Sequence, residues 1–391
     1  MANNNENKIL NVPNLRFPEF SGKWKKCTLG DITINFNLRN KEKIELPMYS
    51  VTNNRGFIPQ SEQFEDRDMV GEDIKAYKII HNKDFAYNPA RINVGSIAKY
   101  NGSKPCMISS LYVCFKAANG IDEDWLMHLL RSPKIQYYYN INGEGGVRIY
   151  LFYPNFARIR TSFPTIAEQR KIANLLSLLD ARITTQNKII EDLKKLKSAI
   201  IHCCYSSKTD MVSLSELLKQ CSERNRSATD LQVLSVNNKY GFIAQSDQFE
   251  DREVASDDTT NYKVVEKGMF AYNPARINVG SIALYEMDGK GIVSPMYVCF
   301  TTKRTLLPGY LKHYFASQTF RHEMFKRLEG SVRLCLTFDS LCNIEIPLPS
   351  IELQENVGKY LSTIERKISL EESMLSQYQL QRSYLLSQMF I

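Results

Sequence analysis

Apolar residues in this chain follow two different rhythms. Over two long stretches they alternate by three and four: Leu176, Leu179, Ile183, Gln186, Ile190, Leu193, Lys197 and Ile200, then Leu361, Ile364, Ile368, Glu371, Leu375, Tyr378, Arg382 and Leu385. That is a heptad seam, and it predicts helices over 167–202 and 352–388. At ~1.5 Å per residue each is a rod of roughly 50 Å. Polar residues interrupt both seams at matching places, Gln186 with Glu371 and Lys197 with Arg382. Thr165-Ile-Ala-Glu168 reads as a capping box at the first rod; Ser350 can cap the second, but Leu353 lacks the reciprocal carboxylate. Ahead of each rod the rhythm changes to short β-rich runs, Lys78-Ile-Ile80, Ser96-Ile-Ala98 and Tyr112-Val-Cys-Phe115 with their later partners. One amphipathic helix is expected near Trp125–Tyr139 and another near Tyr310–Phe325. The order is globular, rod, globular, rod.

Both rhythms repeat because the chain is duplicated. Phe85-Ala-Tyr-Asn-Pro-Ala-Arg-Ile-Asn-Val-Gly-Ser-Ile-Ala98 recurs letter for letter as Phe270 to Ala283, 185 positions later. The offset holds without a gap: Phe64-Glu-Asp-Arg67 pairs with Phe249–Arg252, Val147-Arg148 with Val332-Arg333, and Gln169 with Gln354. From Gly56 to Phe115, 33 of 60 positions match Gly241–Phe300. A period this long is a tandem domain duplication, not a solenoid. If the rods pair antiparallel, a pseudo-two-fold axis relates the globular parts. A parallel pair would need a connection the length of a rod, which 207–350 could supply. Two separate helices, each on its own domain, are the third arrangement.

Composition narrows the class. The 391 residues exceed one ordinary core and suit two domains. A net charge of +8 permits nucleic-acid binding without demanding it. Nine cysteines form no Cys-x-x-Cys pair; Cys114 and Cys299 correspond and lie in apolar runs, which suggests buried free thiols in a reducing, cytoplasmic setting. The polar start Met1-Ala-Asn-Asn-Asn-Glu is followed by no signal core, and no apolar run reaches membrane-spanning length.

Catalytic signals are weak. There is no phosphate-loop motif, and the glycines of Asn142-Gly-Glu-Gly-Gly-Val147 are mostly lost in Arg327-Leu-Glu-Gly-Ser-Val332. Asn88-Pro89 and Asn273-Pro274 lack the second proline and aromatic of an amino-methyltransferase tetrad. His128 and His313 correspond but have no nucleophile partner. No catalytic or metal-ligating residue is assigned. The repeated tract is the better candidate for binding. Tyr87, Asn88, Arg91 and Asn93, with Tyr272, Asn273, Arg276 and Asn278, supply residue types that hydrogen-bond bases and phosphates or stack. Arg148 and Arg333 join them as paired basic residues. The competing explanation is a shared tight turn whose Pro and Gly set the backbone.

Pro13-Asn-Leu-Arg-Phe-Pro18 with Trp24 and Leu29-Gly-Asp31, the tract Tyr87–Ser96 and its copy, Pro164-Thr-Ile-Ala-Glu-Gln-Arg-Lys-Ile172 before a Lys/Leu-rich rod, and the ending Leu385–Ile391 together resemble the specificity subunit of a Type I restriction–modification enzyme. The resemblance covers essentially the whole chain and departs at Ile351-Glu-Leu-Gln354, where the usual Glu-Gln pair is broken. It implies an α+β fold: two similar target-recognition domains, residues 1–165 and 207–350, separated by spacer helices 166–206 and 351–391 pairing as an antiparallel coiled coil. It implies a non-catalytic chain that reads a bipartite, near-palindromic DNA site. Its partners would be double-stranded DNA, two modification (methyltransferase) subunits and restriction/translocase subunits; S-adenosylmethionine, ATP and Mg would belong to those partners. A methyltransferase or nuclease fusion and a protein-binding scaffold are the competing classes.

Overall fold

A computed structural model describes residues 11–63, 74–146, 149–206, 210–226, 230–248, 258–330 and 334–391. The repeated Phe64–Arg67 and Phe249–Arg252 segments lie outside the described residues. The chain forms two compact units, one from residues up to Gln186 together with Met374–Ile391, the other from Asn187–Ser373.

Each unit is built on a four-stranded antiparallel sheet. In the first its order is Thr33–Phe36, Val113–Ala117, Phe85–Tyr87, Ile97–Lys99; in the second it is Leu218–Cys221, Val298–Thr302, Phe270–Tyr272, Ile282–Leu284. The strands Phe85–Tyr87 and Phe270–Tyr272 are buried throughout, as a strand covered on both faces must be. Phe85 lies opposite Phe115 and Phe270 opposite Phe300, with rings stacked at 5.0 and 5.2 Å. Cross-strand aromatic pairs of this kind fix the register. Cys114 and Cys299 sit beneath as free thiols, each pushed up to about 12 by burial.

A second group of strands flanks this sheet, and here the units differ. In the second unit Gly241–Ala244, Val233–Asn237, Lys290–Val293 and Lys263–Glu266 form one sheet, with Val233–Asn237 parallel to Lys290–Val293. In the first, Tyr49–Thr52 with Gly56–Pro59 and Lys78–Ile80 with Cys106–Ile108 are separate antiparallel pairs, connected by a parallel bridge from Met48 to Met107.

The long helices span Ile166–Tyr205 and Ile351–Gln388. Within each unit they run antiparallel. In the first, Arg382 pairs with Asp180, and the Arg182 guanidinium lies 5.0 Å from the Tyr378 ring centre while its Nε donates to the hydroxyl. In the second, Lys197 reaches Glu365 and Lys194 reaches Glu372, both at 2.6 Å. The seam residues Leu176, Leu179, Ile190, Leu361, Ile368 and Leu385 are buried; Ile183, Leu193, Ile200, Ile364, Leu375 and Tyr378 are half-buried. Burying each of the first set contributes about 1.5–3 kcal/mol. The end of each long helix caps a core. Phe390 packs 6.0 Å from Trp125 in the first unit, and the corresponding Tyr205 packs 4.8 Å from Tyr310 in the second.

The capping box at Thr165 is only half made. Glu168 N approaches Thr165 Oγ at 3.5 Å, but the Glu168 carboxylate turns away. It accepts from Arg16 at 2.7 and 2.8 Å and from Trp24 Nε1 at 3.2 Å, and it is 1 % exposed. A buried carboxylate paired with a half-buried guanidinium outcompetes a backbone cap because both partners are charged. The neighbouring Gln169 is the residue both copies keep. Its Oε1 accepts from Asp122 N at 2.8 Å while Nε2 donates to Gly120 and Pro164 carbonyls; Gln354 makes the same three bonds to Leu307, Thr305 and Pro349. It staples the start of each long helix to the loop that begins the adjoining domain helix.

Candidate nucleic-acid interface

The repeated tract leaves the central sheet at Tyr87 and Tyr272 and makes a compact loop. Asn88 N donates to Ser96 O at 3.1 Å, Arg91 N to Asn88 O at 3.0 Å, and Ala90 N to Asn88 Oδ1 at 3.0 Å. In the second unit Asn273 N donates to Ser281 O at 3.1 Å, and Ala275 N to Asn273 Oδ1 at 3.0 Å. The asparagine side chain thus folds its own loop, as Asx turns do. Gly95 and Gly280 close it with φ of 97° and 92°, a region L side chains rarely adopt. Ser96 Oγ then donates to Val51 O at 2.8 Å, and Ser281 Oγ to Val236 O at 3.0 Å, pinning the loop to the flanking strands.

This geometry sorts the candidate residues. Tyr87 and Tyr272 are fully buried, so their rings cannot stack on a base or reach a phosphate. Tyr87 packs on Phe156 at 5.3 Å, and the Tyr272 hydroxyl donates to Leu336 O. Burial drives both phenols far above their ordinary range. They are core residues because Phe-Ala-Tyr is an inner strand of its sheet, covered on both sides. Asn88 and Asn273 are half-buried, with their carboxamide oxygens occupied in the turn. Asn93 is half-buried and bonds Asn140 at 3.3 Å; Asn278 is half-buried. Arg91 and Arg276 are exposed, and neither guanidinium has a hydrogen bond or ion pair among the described residues. Arg148 and Arg333 lie outside the described residues.

Neighbouring segments converge on the same edge in each unit. Pro89 O accepts from Leu151 N at 3.0 Å and Pro274 O from Leu336 N at 3.1 Å, which fastens the tract to the bridged loops Glu144–Tyr150 and Glu329–Cys335. Because Tyr87 pairs with Val113 and Tyr272 with Val298, the turns ending at Tyr112 and Tyr297 lie beside the tract as well. The result is a guanidinium without a protein partner among the described residues, set beside short segments whose hydrogen-bonding side chains are largely spent on the scaffold. Such an edge can bind and orient.

His128 and His313 are buried away from this edge. Their Nε2 atoms lie 3.2 and 3.4 Å from Ser177 and Ser362 Oγ on the long helices.

Residues 207–377 match the family model described as the Type I restriction modification DNA specificity domain. Shifted by the 185-residue repeat, that span is 22–192, the other copy. The chain is thus similar to Type I specificity subunits. A Methanocaldococcus jannaschii protein assigned as the specificity subunit of the type I restriction enzyme MjaX is 22 % identical, over 89 % of this chain and 91 % of its own length. A crystal structure of the Type I restriction–modification S subunit from M. genitalium superposes with a TM-score of 0.62 at 14 % identity, covering 97 % of this chain and 99 % of that one. A structure from work on complex assembly and conformational transition of the type I system gives 0.53 at 15 %, covering 93 % and 96 %. The fold is therefore that of these solved structures along almost the whole chain. Among its described residues no helix is long and apolar enough to cross a membrane.

Proposed function

We propose that this chain is the recognition subunit of a Type I restriction–modification complex, reading a split DNA site with two similar domains. The observation that carries this is the match of a DNA specificity domain to a unit that the chain contains twice. Each domain reads one short half-site through the edge bearing Arg91 or Arg276. The half-sites are similar and inverted, an expectation drawn from the tandem repeat and from the antiparallel helix pairing inside each unit. Arg148 and Arg333 contribute to the same readers. The domain boundaries are 165/166, 206/207 and 350/351.

The long helices act as spacer and as docking surface for two modification subunits, with restriction/translocase subunits joining that core. Large apolar side chains left exposed on them, Leu178, Leu196, Leu370, Leu380 and Tyr384, support this role. The chain works in the cytoplasm and does no chemistry itself; S-adenosylmethionine, ATP and Mg are used by the partners. Mapping methylated adenine in DNA from cells expressing this chain with its modification subunit should reveal an inverted bipartite motif. The isolated chain should neither methylate nor cut. Robust turnover by it would overturn the reading, and binding insensitive to salt would favour a protein scaffold, because phosphate contacts release counterions.

A further inference from the structure

Each unit holds a large apolar side chain in water at the same repeat position of the edge assigned to DNA reading. Leu111 is 77 % exposed and Met296, its counterpart 185 positions on, is 62 % exposed. Isolated exposed apolar residues are ordinary on protein surfaces, but these two stand on a turn built to hold them there. Tyr112 N donates to Ser109 O at 3.2 Å and Tyr297 N to Ser294 O at 3.0 Å, closing the same four-residue turn. The flanking tyrosine is held from both sides. Its hydroxyl accepts from Val51 N or Val236 N, and its carbonyl accepts from Lys78 or Lys263 Nζ at 2.6 Å. Two lysines thus spend their charge on positioning a turn whose tip is apolar. The tip lies beside the tract: Asn273 Nδ2 is 3.6 Å from Met296 Sδ. Val94 and Val279, each 53 % exposed, sit on the tract itself, three residues beyond Arg91 and Arg276.

Resting on the function proposed above, we infer that Leu111 and Met296 are specificity-determining residues that contact the C5-methyl group of a thymine in the major groove, one in each half-site. A guanidinium and an apolar side chain on one rim match what a base edge offers there. Arginine pairs with the acceptors of guanine, and an aliphatic group fits the thymine methyl, the one apolar group a base presents. Leucine and methionine have similar reach and volume, so the two halves are read alike at this position.

The test uses the chain in complex with its modification subunit and duplexes carrying its mapped motif. Each thymine is replaced in turn by deoxyuridine, which deletes only the methyl. Wild-type affinity should fall about fourfold at one thymine in each half, the transfer value of one methyl group. Leu111→Ala should abolish that penalty in one half and Met296→Ala in the other, while Leu111→Met and Met296→Leu retain it. If no thymine shows a penalty in the wild type, or if both alanine variants keep every penalty, the inference is overturned while sequence-specific binding still stands. Loss of sequence-specific binding by the wild-type complex would overturn the function proposed above, and this inference with it.

Discussion

The two repeats agree where they are buried and part company at the rim. Inside the tract, the bond from Asn88 N to Ser96 O and its counterpart from Asn273 N are both 3.1 Å, and the two asparagine-capped turns are both 3.0 Å. Outside it, Arg55 pairs with Glu62 in the first unit, where the second has an exposed Tyr240 under the Lys239 ammonium. Tyr150 and Phe152 stack in the first unit; Cys335 and Thr337 take their places in the second. Letter-for-letter identity therefore follows the internal hydrogen bonds. The tract is largely a scaffold, with its free arginine as the part left over for a ligand. Differences between the half-sites then belong to the rim, and agreement to the shared arginine and apolar tip.

The sharpest break in the repeat is Glu168 against Leu353. Glu168 is buried against Arg16 and Trp24, whereas Leu353 is 51 % exposed. Removing Glu168 leaves the half-buried Arg16 guanidinium and the buried Trp24 Nε1 without their partner, at on the order of 3 kcal/mol. Glu168→Ala should lower stability by that order in denaturant titrations, and Leu353→Ala should change it by less than about 0.5 kcal/mol. Equal effects would show that the first unit gains nothing from its own anchor.

The buried histidines extend the comparison to pH. Burial pulls both down to about 4. His128 faces Asp180, Arg382, Arg131 and Asp124; His313 faces Glu365, Lys312, Lys197 and Glu286. The unfolded chain takes up these protons near pH 6.5, before the folded chain does. Their contribution is fully present above about pH 6.5, declines as pH falls, and levels off below about 4. Each is worth on the order of 2–3 kcal/mol across that window. His128→Gln and His313→Gln should each flatten the acid limb of a stability–pH profile. An unchanged slope would mean that the imidazoles are already charged in the fold.

Much of the fold was legible because its periodicities are strong. The three-four alternation marked the long helices, and the fixed offset marked the duplication. The split of each long helix between units at Gln186/Asn187 and Ser373/Met374 was not legible. It follows from which side chains touch across space, and no change of composition marks it. The capping-box reading failed at Glu168 because Arg16 and Trp24, more than 140 positions away, supply better partners. For the site, Tyr87 and Tyr272 carried a warning in their own sequence: Phe-Ala-Tyr has no polar neighbour to hold one face in solvent. Leu111 and Met296 were missed because a lone apolar residue in a turn carries no signal until its exposure is known. The pairing of Leu with Met at one repeat position was the available hint.

The smallest expected effect decides whether the shared arginines read or merely sit at the rim. Arg91 and Arg276 are exposed, lack protein partners among the described residues, and leave loops of matching geometry. Replacing either with alanine should leave folding stability within about 0.5 kcal/mol of wild type, since no internal contact is lost. If each contacts a base, affinity for the mapped motif should fall by roughly 1–3 kcal/mol, and tolerance of wrong bases should rise in one half only. A phosphate contact would instead weaken binding to every sequence alike and lower the salt slope by about one. Measuring both variants on duplexes altered in one half at a time separates the two roles. Relaxation of opposite halves by the two variants would establish that the repeats read as separate domains; uniform weakening would leave sequence reading to the divergent rim and the apolar tips.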